Sequence, residues 1–248
     1  MENPIFIGLS RQVALRSQMD LIANNIANMS TPGYRAQNMV FTEYLALPDG
    51  KQNEISEVER TISQVLDYGH YQDTAPGPME FTGNPLNAGL AGPGYFGVQA
   101  PDGETAYSRN GIFQINANGE LVTGQGLHVL DEGGGIITIP DEGGPITIGE
   151  DGSIANEDGV LGKLMVSEFE NLQELEAFGD NLYKTDAAPQ EAINTRVKQG
   201  MIEGSNVKPV LEMTRMIEVS RAYQSTQNML KSEHDRQRSM LQRLTSNN

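Results

Sequence analysis

From Leu15, steps of alternating four and three residues pick out Met19, Ile22, Ile26 and Met29, and the same stripe extends upstream to Ile5. That seven-residue repeat predicts an amphipathic helix with one narrow apolar seam, interrupted at Gly8 and Gln12. Asn3 suits a cap and Pro4 the first helical position, where a missing N–H costs nothing, so the helix is expected to run roughly 25 residues. Its end is marked at Thr31-Pro32-Gly33, because proline pushes the preceding residue out of the helical region and Pro-Gly supplies the central pair of a type II turn. Asn24, Asn25 and Asn28, poor helix formers, crowd the last turns.

A second helix is predicted from about Asn206 to Leu244. Ser205 or Asn206 can cap it, Pro209 falls in the tolerated first turn, and neither Gly nor Pro follows. Met213, Met216, Tyr223, Leu230, Leu241 and Leu244 fall on its seam, with Ser220, Gln227, His234 and Gln237 at the remaining seam positions. At about 1.5 Å per residue such a helix approaches 60 Å in length.

Between the helices the period changes. Twenty-two of the 27 glycines lie between Gly69 and Gly179, among short β-prone runs at Tyr95 to Ala100, Gly111 to Asn116, Ile136 to Pro140 and Leu161 to Phe169. The stretches PDG, ANG, DEGGG, DEGG and EDG punctuate these runs as hairpin turns would. The expected fold is therefore α+β: an antiparallel β-rich domain over 69–200, flanked by helices at 1–35 and 201–248 that pair as a coiled coil. Residues 36–68 read as a partly helical or extended connector. Each helix has only a narrow seam and gains little from propensity alone, so its order must come from packing, either on the other helix or on other copies of the chain.

Charge sharpens this division. The net charge of −16 is concentrated in the middle, where residues 36–205 carry 7 basic and 27 acidic side chains, while both ends are slightly positive. So acidic a body argues against nucleic acid as a partner, since phosphate contacts need clustered Lys and Arg. The absence of cysteine excludes disulfides, thiolate metal sites and cysteine nucleophiles. The first residues lack the basic segment and long apolar core of a cleaved signal, and no run approaches the ~18 apolar residues of a membrane span. Signals for enzymes are weak: His70, His128 and His234 are isolated, Gly124-Gln125-Gly126 is a turn rather than a dinucleotide loop, and no catalytic, cofactor or metal site is expected. A carboxylate pair for glycan cleavage is conceivable among 33 acidic residues, but proximity of two in so many says little.

The stretch MDLIANNIANMSTPGYR resembles the N-terminal signature of the flagellar axial proteins, the rod, hook and hook-associated subunits of the bacterial flagellum. TGNPLNAGLAGPGYFGVQAPDGETAYSRNGIFQINANGELVTGQGLHVL (82–130) and VKQGMIEGSNVKPVLEMTRMIEVSRAYQSTQNML (197–230) resemble the same family. The chain's length matches its short rod members. Where relatives commonly carry a run like NPLDLAI, this chain has Asn84-Pro85-Leu86-Asn87-Ala88-Gly89-Leu90, a looser strand pattern.

The resemblance implies a structural rod subunit of the basal body, spanning the periplasm and exported by the flagellar type III apparatus without a cleaved signal peptide. Its implied partners are other rod proteins and copies of itself, with terminal helices that pair on assembly into a hollow, torque-transmitting tube. It moves Leu15, Met19, Ile22, Ile26, Met213, Met216, Tyr223 and Leu230 from an ordinary helix pair towards an assembly interface. Asn24, Asn25 and Asn28 become either helix-end residues or interhelical hydrogen bonders, Pro32 and Gly33 the redirecting turn, and Asn206 a cap. A glycan-cleaving enzyme within 69–200 is the reading from another class.

Overall fold

The computed structural model describes residues 3–46 and 62–246, with side chains described at 6–40, 69–240, 242 and 243. The chain divides into two compact units: one from the described parts of Met1–Ala27, Gln37–Tyr71 and Lys208–Asn248, the other from Asn28–Ala36 and Gln72–Val207.

The first unit holds both helices, α1 (Asn3–Ala27) and α2 (Pro209–Ser246). Pro209 occupies the first helical position of α2, where its fixed φ is already helical, and the Glu212 amide donates to Lys208 O at 3.0 Å. The helix thus starts three residues later than the sequence suggested. Within the expected connector, strands Gln37–Ala46 and Ile62–Gln72 pair with each other. The rest of that segment lies outside the described residues.

The second unit is antiparallel β, as the turn spacing predicted. Its largest sheet has six strands in the order Glu176–Gly179, Leu182–Lys184, Thr105–Ser108, Tyr95–Gln99, Val166–Glu168, Gln190–Glu191. A three-stranded sheet joins Gly159–Lys163, Ser153–Asn156 and Thr147–Ile148. Shorter ladders pair Ala88–Ala91 with Arg196–Gln199, and Met79–Phe81 with Met201–Glu203. The loosened run at 84–90 therefore still delivers a strand: Ala88, Gly89 and Leu90 are buried, and the Asn84 side chain accepts from the Leu86 amide at 3.0 Å to shape the turn before it.

Two expected strands differ. Ile136 to Pro140 forms only isolated bridges, through Ile136 and Thr138, and Leu161 to Phe169 is split into Gly159–Lys163 and Val166–Glu168. In the second case Leu164 still follows the hairpin register, its amide bonding Gly152 O next to the Ser153–Lys163 pair, while the Met165 amide turns to Leu130 O. Tertiary bonding has overridden a continuous β-prone run.

Phe96 and Phe113, edge to face at 5.1 Å, centre the main core with Leu90, Leu121, Ile154 and Leu164. Tyr95, Tyr107, Phe169 and Tyr183 form a second cluster, in which burial pushes the Tyr183 and Tyr95 phenols upward in pKa. Among the described residues no helix is long and apolar enough to cross a membrane, and no group of three or more His, Asp or Glu could hold a metal ion.

The acidic surface of this unit is tuned by local donors. Lys184 holds the Asp102 carboxyl below its ordinary value of 3.8, Asn116 and then His128 hold Glu120 below 4.5, Lys198 and Arg196 hold Glu150 below 4.5, and Ser153 holds Asp151 below 3.8. Each depressed pKa means the folded state binds fewer protons than the unfolded state near those values. Their stabilisation is complete above the ordinary carboxylate range, fades as pH falls through 4.5 and 3.8, and is lost below the depressed values. Denaturation midpoints of the β unit followed across acid pH should therefore drop in that window, and the drop should shrink when Asp102, Glu120 and Glu150 are replaced by their amides.

Candidate assembly surface and the buried arginine–glutamate cluster

α1 and α2 run antiparallel within their unit. Gly8 faces Leu230, Gln12 Nε2 donates to Tyr223 Oη at 2.9 Å, and Asn25 Nδ2 reaches Glu212 Oε2 at 3.4 Å, so position rises along one helix as it falls along the other. The two interruptions in the α1 seam are thereby explained. A Cβ on Gly8 would lie 2.7 Å from Leu230 Cδ2, so the missing side chain makes room for leucine, and Gln12 is the partner of a seam hydroxyl.

Of the α1 positions singled out, Ile22 is buried and Leu15, Met19 and Ile26 are half-buried, whereas Met29 is exposed beyond the helix end. On α2 the seam needs a correction. Met216, Tyr223 and Leu230 are half-buried as expected, but the companion column is Glu212, Val219 and Thr226, all buried, one residue before Met213, Ser220 and Gln227. Met213, Gln227 and His234 are exposed, and the side chains of Leu241 and Leu244 lie outside the described residues. The sequence pattern was misleading because it favoured the apolar Met213 over polar neighbours whose hydrogen bonding is satisfied locally. Glu212 accepts from Arg215 Nη1 at 2.7 Å, and Thr226 donates back to Ala222 O at 3.0 Å.

The three asparagines separate in role. Asn25, 1% exposed, accepts from the Gln37 amide at 3.0 Å and donates to Gln37 O at 2.8 Å, so its side chain mimics a strand partner while also reaching Glu212. Asn28 is a helix-end residue: its carbonyl and side-chain oxygens both accept from Thr31 at 3.1 Å. Asn24 is exposed.

The turn at Pro32-Gly33 is type II, with Gly33 at φ +69° and the Tyr34 amide donating to Thr31 O at 3.2 Å. Glycine is required twice over there, since a Cβ would also sit 2.5 Å from the backbone carbon of Arg109. The redirected chain then enters a buried cluster that the sequence did not announce. The Gly33 amide donates to Glu203 O at 2.7 Å, and Arg35 Nη2 lies 2.8 Å from Glu203 Oε1. Arg109 Nε donates to Glu203 Oε2 at 2.8 Å, and its Nη1 to Gly92 O at 2.9 Å and to Gly94 O. Its guanidinium stacks 5.4 Å over the Tyr95 ring.

Glu203 is 2% exposed and Arg109 1%, so one carboxylate serves two buried cations. Burial pulls the Arg109 guanidinium pKa down and the Glu203 charge opposes that shift. The only advance signal was an Arg or Glu inside an otherwise apolar strand context, at Tyr107-Ser108-Arg109 and Met201-Ile202-Glu203.

Asn206 does not cap α2. Its Oδ1 accepts from the Ala36 amide at 2.7 Å, its Nδ2 donates to Asp73 O and Ala75 O at 2.9 Å each, and its amide donates to Tyr34 O at 3.3 Å. Asn181, also unflagged by the sequence, donates to Pro32 O at 2.9 Å. Replacing Glu203 by Ala would leave two buried guanidinium groups without their carboxylate, a loss of about 3 to 5 kcal/mol. Gly33→Ala combines a left-handed φ with a backbone clash and should cost about 2 kcal/mol or more. Chemical denaturation of the two variants checks both values.

The sequence patterns of three families match along the chain: Flagella basal body rod protein over residues 5–35, Flagellar hook protein FlgE/F/G D1 domain over 89–156, and Flagellar basal body rod FlgEFG protein C-terminal over 198–243. The first covers α1 and the Pro-Gly turn, and the last covers Glu203, Asn206 and most of α2. The chain is 39% identical to the flagellar basal-body rod protein FlgF of Caulobacter vibrioides, covering 98% of both chains. It is 33% identical to FlgF of Salmonella typhimurium over 94% of both, and 30% identical to the rod protein FlgG of Bacillus subtilis over 93% of this chain and 94% of that one. With relatives of that identity aligned along almost their whole length, the chain belongs to the FlgE/F/G family of flagellar rod and hook proteins.

Proposed function

We propose that the chain is a structural subunit of the flagellar basal-body rod, of the FlgF type, packing against copies of itself and neighbouring rod proteins in the shaft that carries torque across the periplasm. One observation carries the reading: each helix has a second apolar face opposite the seam. At 100° per residue, Phe6, Leu9 and Val13 lie on the far side of α1 from Gly8, Leu15 and Ile22, and Val210, Met213 and Ile217 lie on the far side of α2 from Glu212, Val219 and Thr226. These six side chains are between 48% and 80% exposed in the single chain.

Because the helices are antiparallel, the two stripes sit at opposite ends of the pair and each faces away from its partner helix. Two different patches on opposite ends suit a head-to-tail contact, which propagates into an open helical polymer when it does not close. The seam residues Leu15, Met19, Ile22, Ile26, Met216, Tyr223 and Leu230 then support assembly by holding the pair as a coiled coil, while Met213 faces the neighbouring subunit. Methionine suits such a position, since its flexible side chain adapts to the non-identical contacts of a helical array.

On this reading the protein is a structural subunit and not a glycan-cleaving enzyme, and export through the flagellar apparatus is served by a chain with no disulfides to reduce. The FlgG-type distal rod is the nearest alternative, and location in purified basal bodies separates the two. Val13→Asp and Ile217→Asp each place a charge on an exposed stripe and should leave the melting of the purified chain unchanged. In cells the same variants should abolish rod completion and swimming. Wild-type motility in both variants would remove the stripes from the assembly surface.

A further inference from the structure

Residues 33–36, leading from the Pro-Gly turn to the first strand, make four contacts with residues 203–206, beside bonds of Arg35 to Ala75 O and of Ala36 O to the Asp73 amide. Gly33 bonds Glu203 O, Tyr34 O receives the Asn206 amide, Arg35 pairs with the Glu203 carboxylate, and the Ala36 amide bonds Asn206 Oδ1. The last pair is 170 residues apart in sequence. Residues 36, 73 and 206, each one or two positions inside the boundary of the unit, are also bonded to one another, through Ala36 O to the Asp73 amide at 2.8 Å and through the Asn206 side chain. The apolar core around Phe96 and Phe113 takes no residue from 32–36.

We propose that residues 203–206 form a clasp that fixes residues 33–36 as a separately opening piece of the β unit, closed by the last residues of that unit to be synthesised. The physical basis is the contrast between the two kinds of contact. The core is a packed apolar cluster assembled largely from residues 86–166, whereas the clasp is a small polar lattice bridging a long loop, whose closure is entropically costly and comes late. Such a lattice opens at lower free energy than the core it borders. A chain that stops before Glu203 retains most of the β core residues but carries an N-terminal segment with nothing to hold it, so only a chain complete through Asn206 has that segment set in place. The inference concerns the folded single chain and holds whether or not the chain builds a rod.

Residue-resolved hydrogen exchange on the purified full chain tests it. In Asn206→Ala the Gly33 and Ala36 amides should lose about tenfold or more in protection, because the side-chain hydrogen bonds that tie 36 and 73 to 206 are removed. Amides of the strands Tyr95–Gln99 and Thr105–Ser108 should keep wild-type protection. Asn181→Ala, which removes the bond to Pro32 O but leaves 203–206 intact, should leave Gly33 and Ala36 protected. Unchanged protection at 33 and 36 in Asn206→Ala overturns the clasp, as does equal loosening by Asn181→Ala. So does a fall of all amides together in Asn206→Ala, which would make 33–36 part of the global unit.

Discussion

The β unit depends on the Glu203 carboxylate, because it is the only acid facing two buried guanidinium groups among the described salt bridges. Its two oxygens are shared among Arg35, Arg109 and the Gly77 amide. A buried ion cluster of this kind adds little net stability over a well-packed apolar one, because desolvation offsets most of the attraction. What it adds is a requirement of geometry: the turn carrying Arg35, the strand end carrying Arg109 and the ladder carrying Glu203 must all be in register before any of the three charges is satisfied. A slip of one residue at Met201–Glu203 would turn the carboxylate to the opposite face and leave both arginines in the core unpaired. Register specificity is therefore the physical return on an otherwise costly burial.

That requirement reaches back to Pro32-Gly33. The type II turn positions Arg35 to enter the cluster, and it fits only because Gly33 has no side chain against Arg109. The fold of the most N-terminal part of the β unit is thus determined by chemistry supplied some 170 residues later in the chain. In the helical unit Asn25 plays a related part on a smaller scale: a polar side chain at the end of α1 takes both backbone groups of Gln37 and so satisfies the first residue of the strand that follows.

Periodicity made the helices, their approximate limits, the Pro-Gly turn and the hairpin-rich middle legible in advance, because each is dictated by local sterics and by alternation of apolar residues. It misplaced half of the α2 seam by one residue: apolar Met213 set the register over Glu212, whose charge is met by Arg215, and the step then carried to Ser220 and Gln227 past Val219 and Thr226. It also missed Arg35, Arg109, Asn181 and Glu203 and assigned Asn206 to a cap. Nothing local distinguishes a charged residue on a strand face that meets solvent from one that meets a counter-charge distant in sequence. Only tertiary proximity makes that difference.

The helices divide their apolar surface between two faces. A helix in a self-sufficient fold buries one stripe and leaves the opposite side polar. α1 and α2 each spend one stripe on the other and keep a second, with Phe6, Leu9 and Val13 on one and Val210, Met213 and Ile217 on the other, facing water. Covering exposed apolar area yields about 25 cal/mol per Å², so under the proposed function the second stripes would supply a driving force for association. The seam that is satisfied is, by contrast, partly polar, with Gln12, Asn25, Glu212 and Thr226 among its residues. Polar seam positions specify register at a cost in stability, which suits the proposed subunit, in which the alignment of the pair would be fixed while its other apolar surface meets neighbours.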